Sequence, residues 1–244
     1  MENQPKEDPV NVQKELQKLI QEREKFRIQM TRKYYLEEVI PAKENGKKVI
    51  YTGGGGFGEL VYAFDNTVLA IPSDNYAVYT AARRQHRKYL DLVEERGLSP
   101  DVCSYDRVAA GLMFTGEGVY GKMPEPDLII GTSSVCETHA KFWEIVSDHY
   151  GGTPFFPFYY PIMQTNERMP EYAVEYGKRQ VRKALEFIAE HTGQKVDWDR
   201  FKEVVKTSVE AITYYWENVI ELRTVSPSPW STMQTISDTF FLAA

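Results

Sequence analysis

The chain has 244 residues, 42% of them hydrophobic and 13% aromatic, a composition that supports a sizeable core and excludes a disordered chain. Its net charge of -6 argues against a nucleic-acid backbone as partner. No apolar run approaches the ~20 residues that cross a bilayer, and the opening MENQPKEDPV lacks a signal-peptide core, so the expectation is a cytoplasmic protein with no membrane and no nucleic-acid partner.

Residues 1–10 read as a disordered tail, followed by a helical segment over 11–45. Val12, Leu16, Leu19, Phe26 and Met30 fall on alternating four- and three-residue steps broken at Arg23, which predicts an amphipathic helix. Its apolar stripe needs cover, from the same domain or from another subunit. An α/β domain is expected over 46–165, with Lys48–Thr52 as its first strand. That strand runs into Gly53-Gly54-Gly55-Gly56-Phe57-Gly58, where glycines permit positive φ and close backbone approach to a ligand. The spacing satisfies G-x-G-x-x-G with Asp74 some way downstream, the dinucleotide fingerprint read literally. Against it, the apolar run Val68–Ile71 leaves room for only about two helical turns, and a run of glycines satisfies almost any glycine pattern. The alternatives are a plain strand-to-helix turn and a loop whose amides line an acyl-thioester pocket.

A long helix is expected from Tyr76 to Arg96, carrying Arg83, Arg84, Arg87 and Lys88, ended by Gly97 and Pro100. Residues 111–121, with four glycines, read as a loop. Leu128-Ile129-Ile130 reads as a buried strand and Phe142, Ile145 and Val146 as the apolar face of a helix ending near Gly151. Phe155–Tyr160 reads as a last strand, with Pro157 marking a sheet edge. Over 166–244 the character turns to long helices forming a hairpin. Asp199 is the expected N-cap of the second, with Phe201, Val205, Ile212, Tyr215, Val219 and Leu222 along its seam. Ser208 takes the one polar slot of that seam, beside Val209. The tail from Trp230 to Ala244 turns apolar at its end and stops there with no cap, turn or charge, which leads to the expectation of a further C-terminal domain beyond Ala244.

Both cysteines, Cys103 and Cys136, stand just before segments that read as helix. Cys136 also follows the apolar strand, where sites form in open α/β sheets. No C-x-x-C pair or H-E-x-x-H is present. A cysteine nucleophile would need a base, and His139, three residues on, is the near candidate. From spacing alone the plain reading is two buried, inert thiols.

The residues around the thiols point further. DVCSYDR around Cys103 and KMPEPDLIIGTSSVCETHAKFWE around Cys136, with the spacing between them, resemble the benzoyl-CoA reductase and 2-hydroxyacyl-CoA dehydratase family. The glycine-rich strand end before Glu59 and the helix ending in Pro-Ser-Pro are similar to the same family. The resemblance covers essentially residues 10–244, which correspond to the N-terminal half to two-thirds of a family subunit. It implies a Rossmann-like, mostly parallel sheet with flanking helices, plus the C-terminal helical hairpin. It also implies a heterodimer with a homologous second subunit, an acyl-CoA substrate and an ATP-dependent activator that donates electrons.

Each family subunit holds a 4Fe-4S cluster by three cysteines, and a one-electron ketyl-radical reaction dehydrates a 2-hydroxyacyl-CoA or reduces an aromatic ring. By position, Cys103 and Cys136 are then two cluster ligands, with the third thiolate outside this chain. On the same resemblance Glu59 falls at or near the position of an acidic residue that faces substrate. Gly54, Gly55 and Gly56 line the thioester, and Ser133 and Ser134 donate hydrogen bonds to cluster sulfurs. Three readings follow: a catalytic subunit or fragment of such an enzyme, a non-catalytic electron-relay or scaffold subunit, and an unrelated nucleotide-binding oxidoreductase using Gly53–Gly58.

Overall fold

The computed structural model describes residues 9–53, 57–132, 136–159 and 169–222, with 224 and 226. Among the described residues four short strands form one sheet: β1 (Lys48–Thr52), β2 (Thr67–Ala70), β3 (Leu128–Thr132) and β4 (Phe155–Phe158). Their order is β2-β1-β3-β4 and every pairing is parallel. Parallel strands covered on both faces need apolar side chains on both faces. The central strands comply: Ile50 sits opposite Leu69 and Leu128, Tyr51 opposite Ala70 and Ile129, and all are buried. This is the Rossmann-like sheet expected from the sequence.

Helices cover both faces. Helix α1 (Pro9–Tyr34) runs into a π-helical turn, Tyr35–Val39. A one-turn α2 (Gly58–Val61) follows β1, and α3 (Val78–Ala82), α4 (Arg87–Glu95) and α5 (Ser104–Thr115) lie between β2 and β3. Then come α6 (Glu137–His149), α7 (Glu171–Thr192) and α8 (Trp198–Leu222). On one face Val49, Tyr51 and Ile129 pack with Tyr35, Val39, Val93, Leu112 and Trp143. On the other, Ile50, Leu69, Leu128 and Ile130 pack with Leu60, Phe64, Leu185 and Ile188. The helical hairpin therefore contributes α7 to the second layer of the sheet.

Polar contacts fix the sheet's edges. The edge backbone of β2 is satisfied by α1 and its π turn: the Tyr34 hydroxyl donates to Leu69 O at 2.8 Å, and Ile71 N–H donates to Tyr35 Oη at 2.9 Å. At the entry to β3, Asp127 accepts from Val49 N–H at 2.7 Å, from Lys43 at 2.5 Å and from Lys48 at 3.2 Å. Burial alone would raise this carboxyl, but the Lys43 and Val49 bonds, with Lys48, outweigh burial and hold it below the ordinary value.

Several expectations from the sequence are corrected. Residues 111–115 are helical rather than loop, because α5 continues to Thr115 and ends at Gly116 in the left-handed conformation. Gly111 lies inside that helix because a Cβ there would stand 2.6 Å from Tyr89 Cβ; it lets α4 and α5 pack closely. The expected helix over 76–96 is broken into a π turn at Pro72–Ala77, α3 and α4, with Arg84 at φ 58° in the interruption. The cap of α8 is Asp197, whose Oδ1 accepts from Asp199 N–H and Arg200 N–H at 3.1 and 2.9 Å, so Asp199 is not the cap. Val209 does not cover the polar slot at Ser208; it is 57% exposed.

The described part of the α1 stripe is not buried against its own domain either. Leu19, Phe26 and Met30 are exposed, while Thr31 is buried and Arg27 donates to the Tyr79 hydroxyl at 3.4 Å. Phe155–Phe158 does form the edge strand that Pro157 implied.

Gly111→Ala gains helix propensity, yet the clash with Tyr89 outweighs it; we expect a net loss of about 1–3 kcal/mol in urea unfolding, and unchanged stability would refute the close contact. Asp127 has a depressed folded-state pKa, so its stabilisation is present above the unfolded value of about 4 and is lost as pH falls through the folded value. Asp127→Asn should therefore be less stable near neutrality and lose less on acidification, as followed by unfolding midpoints from neutral to acid pH.

Candidate functional site

The strand order creates one crevice. From β1 the chain winds outward to β2 on one side, and it later returns to place β3 on the other. The space outside the carboxyl ends of β1 and β3 is therefore the switch point of the strand order, which is where open α/β sheets bind ligands. Thr52 hands over to Gly53 at one lip, and the chain after Thr132 reaches Cys136 at the other.

Space at this crevice is tight. A Cβ on Gly53 would lie 2.3 Å from His139 Nε2 and 3.2 Å from both Thr132 Cγ2 and Trp143 Cζ2. One on Gly131 would lie 2.4 Å from Phe155 Cε2 and 2.9 Å from Trp143 Cδ1. The indole of Trp143 thus lies across the ends of β1 and β3, in room left by two glycines. Thr52 Oγ1 and Trp143 Nε1 are buried there with no hydrogen-bond partner among the described residues, an uncommon condition for buried polar atoms.

Each cysteine is the residue that caps a helix. Cys136 precedes α6, and its Sγ accepts a hydrogen bond from His139 N–H at 3.4 Å. Cys103 precedes α5, and its carbonyl accepts from Arg107 N–H at 3.1 Å. The first turn of a helix offers free N–H groups and the positive end of its dipole, which favours anions. Three residues into each helix stand Asp106 and His139. His139 Nδ1–H donates to Asp106 Oδ1 at 2.8 Å, with both side chains 5% exposed or less. The two helices thus meet side chain to side chain one turn inside the two thiols. Arg107 anchors the start of α5 to α4, donating to Glu94 and to Pro100 O.

This geometry corrects two readings of the sequence. The thiols are not buried: both are free and exposed. Nor is His139 placed as the base of a cysteine nucleophile. Its ring spends Nδ1 on Asp106 and turns Nε2 toward Gly53, and only its backbone amide reaches Cys136. Sequence reasoning does not reach Asp106. The available signal is the repeated spacing, Cys103 to Asp106 and Cys136 to His139, three residues in each case. A cavity of about 300 Å³ opens between α5 and α6, bordered by Val102, Asp106, Glu137 and Phe142; neither cysteine lines it.

Glu59 lies in the first turn of α2, half-buried, and accepts a hydrogen bond from Ser208 of α8. That contact explains the single polar position in the seam of α8. Phe57, just before α2, holds φ 96°, a conformation disfavoured for any side chain with a Cβ. Its ring rests on Phe158 with centroids 4.1 Å apart. Helix α2 has only four residues, too short for the helix that a dinucleotide fingerprint opens. Gly54, Gly55, Gly56, Ser133 and Ser134 lie outside the described residues.

Exposed thiols at two adjoining helix N-termini suit a soft, positively charged group. Among the described residues no cluster of three or more His, Cys, Asp or Glu is arranged to hold a metal ion. The two thiols therefore fit as part of a ligand set, not as a whole one. No described helix is long and apolar enough to cross a membrane.

The family described as 2-hydroxyglutaryl-CoA dehydratase, D-component, matches residues 58–243, and the chain belongs to that family. It is 28% identical over 207 residues to the (R)-phenyllactyl-CoA dehydratase alpha subunit of Clostridium sporogenes, covering 82% of this chain and 50% of that protein. It is 28% identical over 176 residues to the lactoyl-CoA dehydratase alpha subunit of Anaerotignum propionicum, covering 66% and 41%. It is 31% identical over 181 residues to a benzoyl-CoA reductase subunit of Thauera aromatica, covering 72% and 40%. The chain thus spans half or less of the length of these relatives.

Exposure of the thiols is directly measurable. Titration of the native, metal-free protein with a thiol-reactive dye should modify both cysteines without denaturant. If the second thiol reacts only after unfolding, one of the two caps is buried.

Proposed function

We propose that this chain is a subunit, or the N-terminal part of one, of an iron–sulfur enzyme that acts on acyl-CoA thioesters. The reaction is dehydration of a 2-hydroxyacyl-CoA or reduction of a benzoyl-CoA-type ring. The observation that carries this reading is the pair of exposed cysteine caps on α5 and α6, joined by the Asp106–His139 bond beside the crevice of the sheet. Family membership and the dehydratase and reductase subunits among its relatives support it.

Cys103 and Cys136 are the two thiolates offered to a 4Fe-4S cluster. The chain has no other cysteine, so a third thiolate comes from outside this sequence. Such a cluster, when bound, supplies a low-potential electron to the thioester carbonyl. The residues of this chain do the rest by binding, orienting and shielding. Backbone N–H groups at the two helix starts offset the thiolate charge. Phe142 and Trp143 pack around His139, with ring centroids 5.8 and 5.5 Å from its own, and close the inner side against water.

Glu59, oriented by Ser208, faces the substrate from the glycine-rich lip. Gly54, Gly55 and Gly56 admit the thioester close to the backbone, and Ser133 and Ser134 donate hydrogen bonds to cluster sulfurs. The partners on this reading are a homologous second subunit and an ATP-dependent activator that donates electrons.

The test is anaerobic reconstitution of the protein with ferrous iron and sulfide, in the presence of a small thiol able to supply a missing ligand. We expect iron and acid-labile sulfide to bind in similar amounts, and Cys103→Ala and Cys136→Ala each to abolish binding. Iron retained at the wild-type level in both variants, or no binding by the wild type, would overturn the assignment.

A further inference from the structure

The Asp106–His139 pair has a geometry that packing alone does not require. A buried hydrogen bond between a carboxyl and an imidazole is directional, and it links α5 to α6 near their starts, while Phe114 and His149 meet near their far ends with ring centroids 4.7 Å apart. The hydrogen bond joins the third residue of each helix, one turn from the cysteine that caps it. A helix is stiff over one turn. Fixing the third residues against each other therefore fixes the separation of the two caps.

His139 is held from three further sides. Its backbone N–H donates to Cys136 Sγ, its ring stacks on Phe142 with centroids 5.8 Å apart, and its Nε2 abuts Gly53. Any side chain at residue 53 would push the imidazole out of register with Asp106.

We propose that the buried Asp106–His139 pair is a positioning element that presents Cys103 and Cys136 as one two-thiol metal-binding unit, and that residue 53 is glycine to leave room for it. This rests on the reading that the two thiols are metal ligands. Neither residue touches the metal. The pair acts by sparing the protein the cost of bringing two thiolates into register when the metal arrives. Partners of this kind behind metal ligands typically contribute about 10–100-fold in affinity. Through Gly53 the same pair joins the metal-binding lip of the crevice to the glycine-rich lip, so a change in one backbone is felt by the other.

Cadmium, a soft cation with an ultraviolet thiolate charge-transfer band, is a probe that needs neither the cluster nor a substrate. It would be titrated anaerobically into the metal-free protein, with each variant's folding checked by its unfolding transition. The wild type should bind through both thiols, with Cys103→Ser and Cys136→Ser each halving the band and weakening affinity by about tenfold or more. Asp106→Ala should weaken affinity by about 10–100-fold with both cysteines intact. Asp106→Asn keeps an acceptor for Nδ1–H and should stay within about threefold of the wild type. Gly53→Ala, which disturbs the ring from the opposite side, should behave like Asp106→Ala.

If the cysteine variants bind cadmium as the wild type does, the thiols are not ligands and the proposed function fails with this inference. If the cysteine variants weaken binding while folded Asp106→Ala or Gly53→Ala does not, the positioning role alone fails. It fails equally if folded Asp106→Asn loses affinity as far as the cysteine variants do.

Discussion

The structure around the crevice depends on one steric constraint: the carboxyl ends of β1 and β3 carry no Cβ where α6 crosses them. Gly53 and Gly131 let Trp143 lie against the strand ends, and Gly53 lets His139 approach until its Nε2 occupies the place of a side chain. Interiors pack densely, so a single extra methyl here cannot be absorbed by slack. Once α6 is seated this closely, its third residue comes within hydrogen-bond reach of the third residue of α5. The positions of both cysteines follow from that meeting. A large apolar contact and a single polar one thus have separate tasks. Trp143 supplies burial, and Asp106 with His139 supplies register.

Glycine has a different reason at each of the positions that matter. At Gly53 and Gly131 the reason is close approach to α6, and at Gly111 it is close approach of α4 to α5. At Gly116 it is the positive φ that ends α5. Sequence alone does not separate these causes. A glycine-rich run over 111–121 reads as a loop because turns are where glycine is most often needed. The structure divides it into a helix interior and a helix end.

Strands and their apolar character are legible in the sequence because a parallel sheet buried on both faces leaves continuous runs such as Leu128-Ile129-Ile130. The position of Cys136 at a strand end is legible for the same reason. The break between α3 and α4 is not, since Arg83 to His86 are compatible with a helix and nothing local forces Arg84 to positive φ. The exposure of the two thiols is not legible either. A cysteine's burial depends on which element covers it, and here each stands outside the helix it caps. Asp106 is hidden because it is ordinary in its own helix; its meaning emerges only when α6 brings His139 against it. Ser208 shows the converse. Its oddity is plain as a polar gap in an apolar seam, and only Glu59, far away in sequence, explains it.

The surfaces left uncovered follow from the same accounting of partners. Burying an apolar stripe is the main stabilisation a helix gains from its domain. Helix α1 keeps Leu19 and Phe26 about 60% exposed while its last turn and the π turn after it serve the edge of β2 through Tyr34 and Tyr35. Helix α8 reaches α2 through Ser208, while Tyr214 is 70% and Trp216 48% exposed beyond that point. Directional contacts of these helices to the domain include the Tyr34, Tyr35 and Ser208 hydroxyls and the Arg200–Asp65 ion pair, and several of the large apolar side chains point elsewhere. The described residues of this domain do not bury those side chains. What the crevice and the sheet edge require of these helices is narrower: two tyrosines that satisfy an edge strand, and one serine that holds a glutamate at the lip of the crevice.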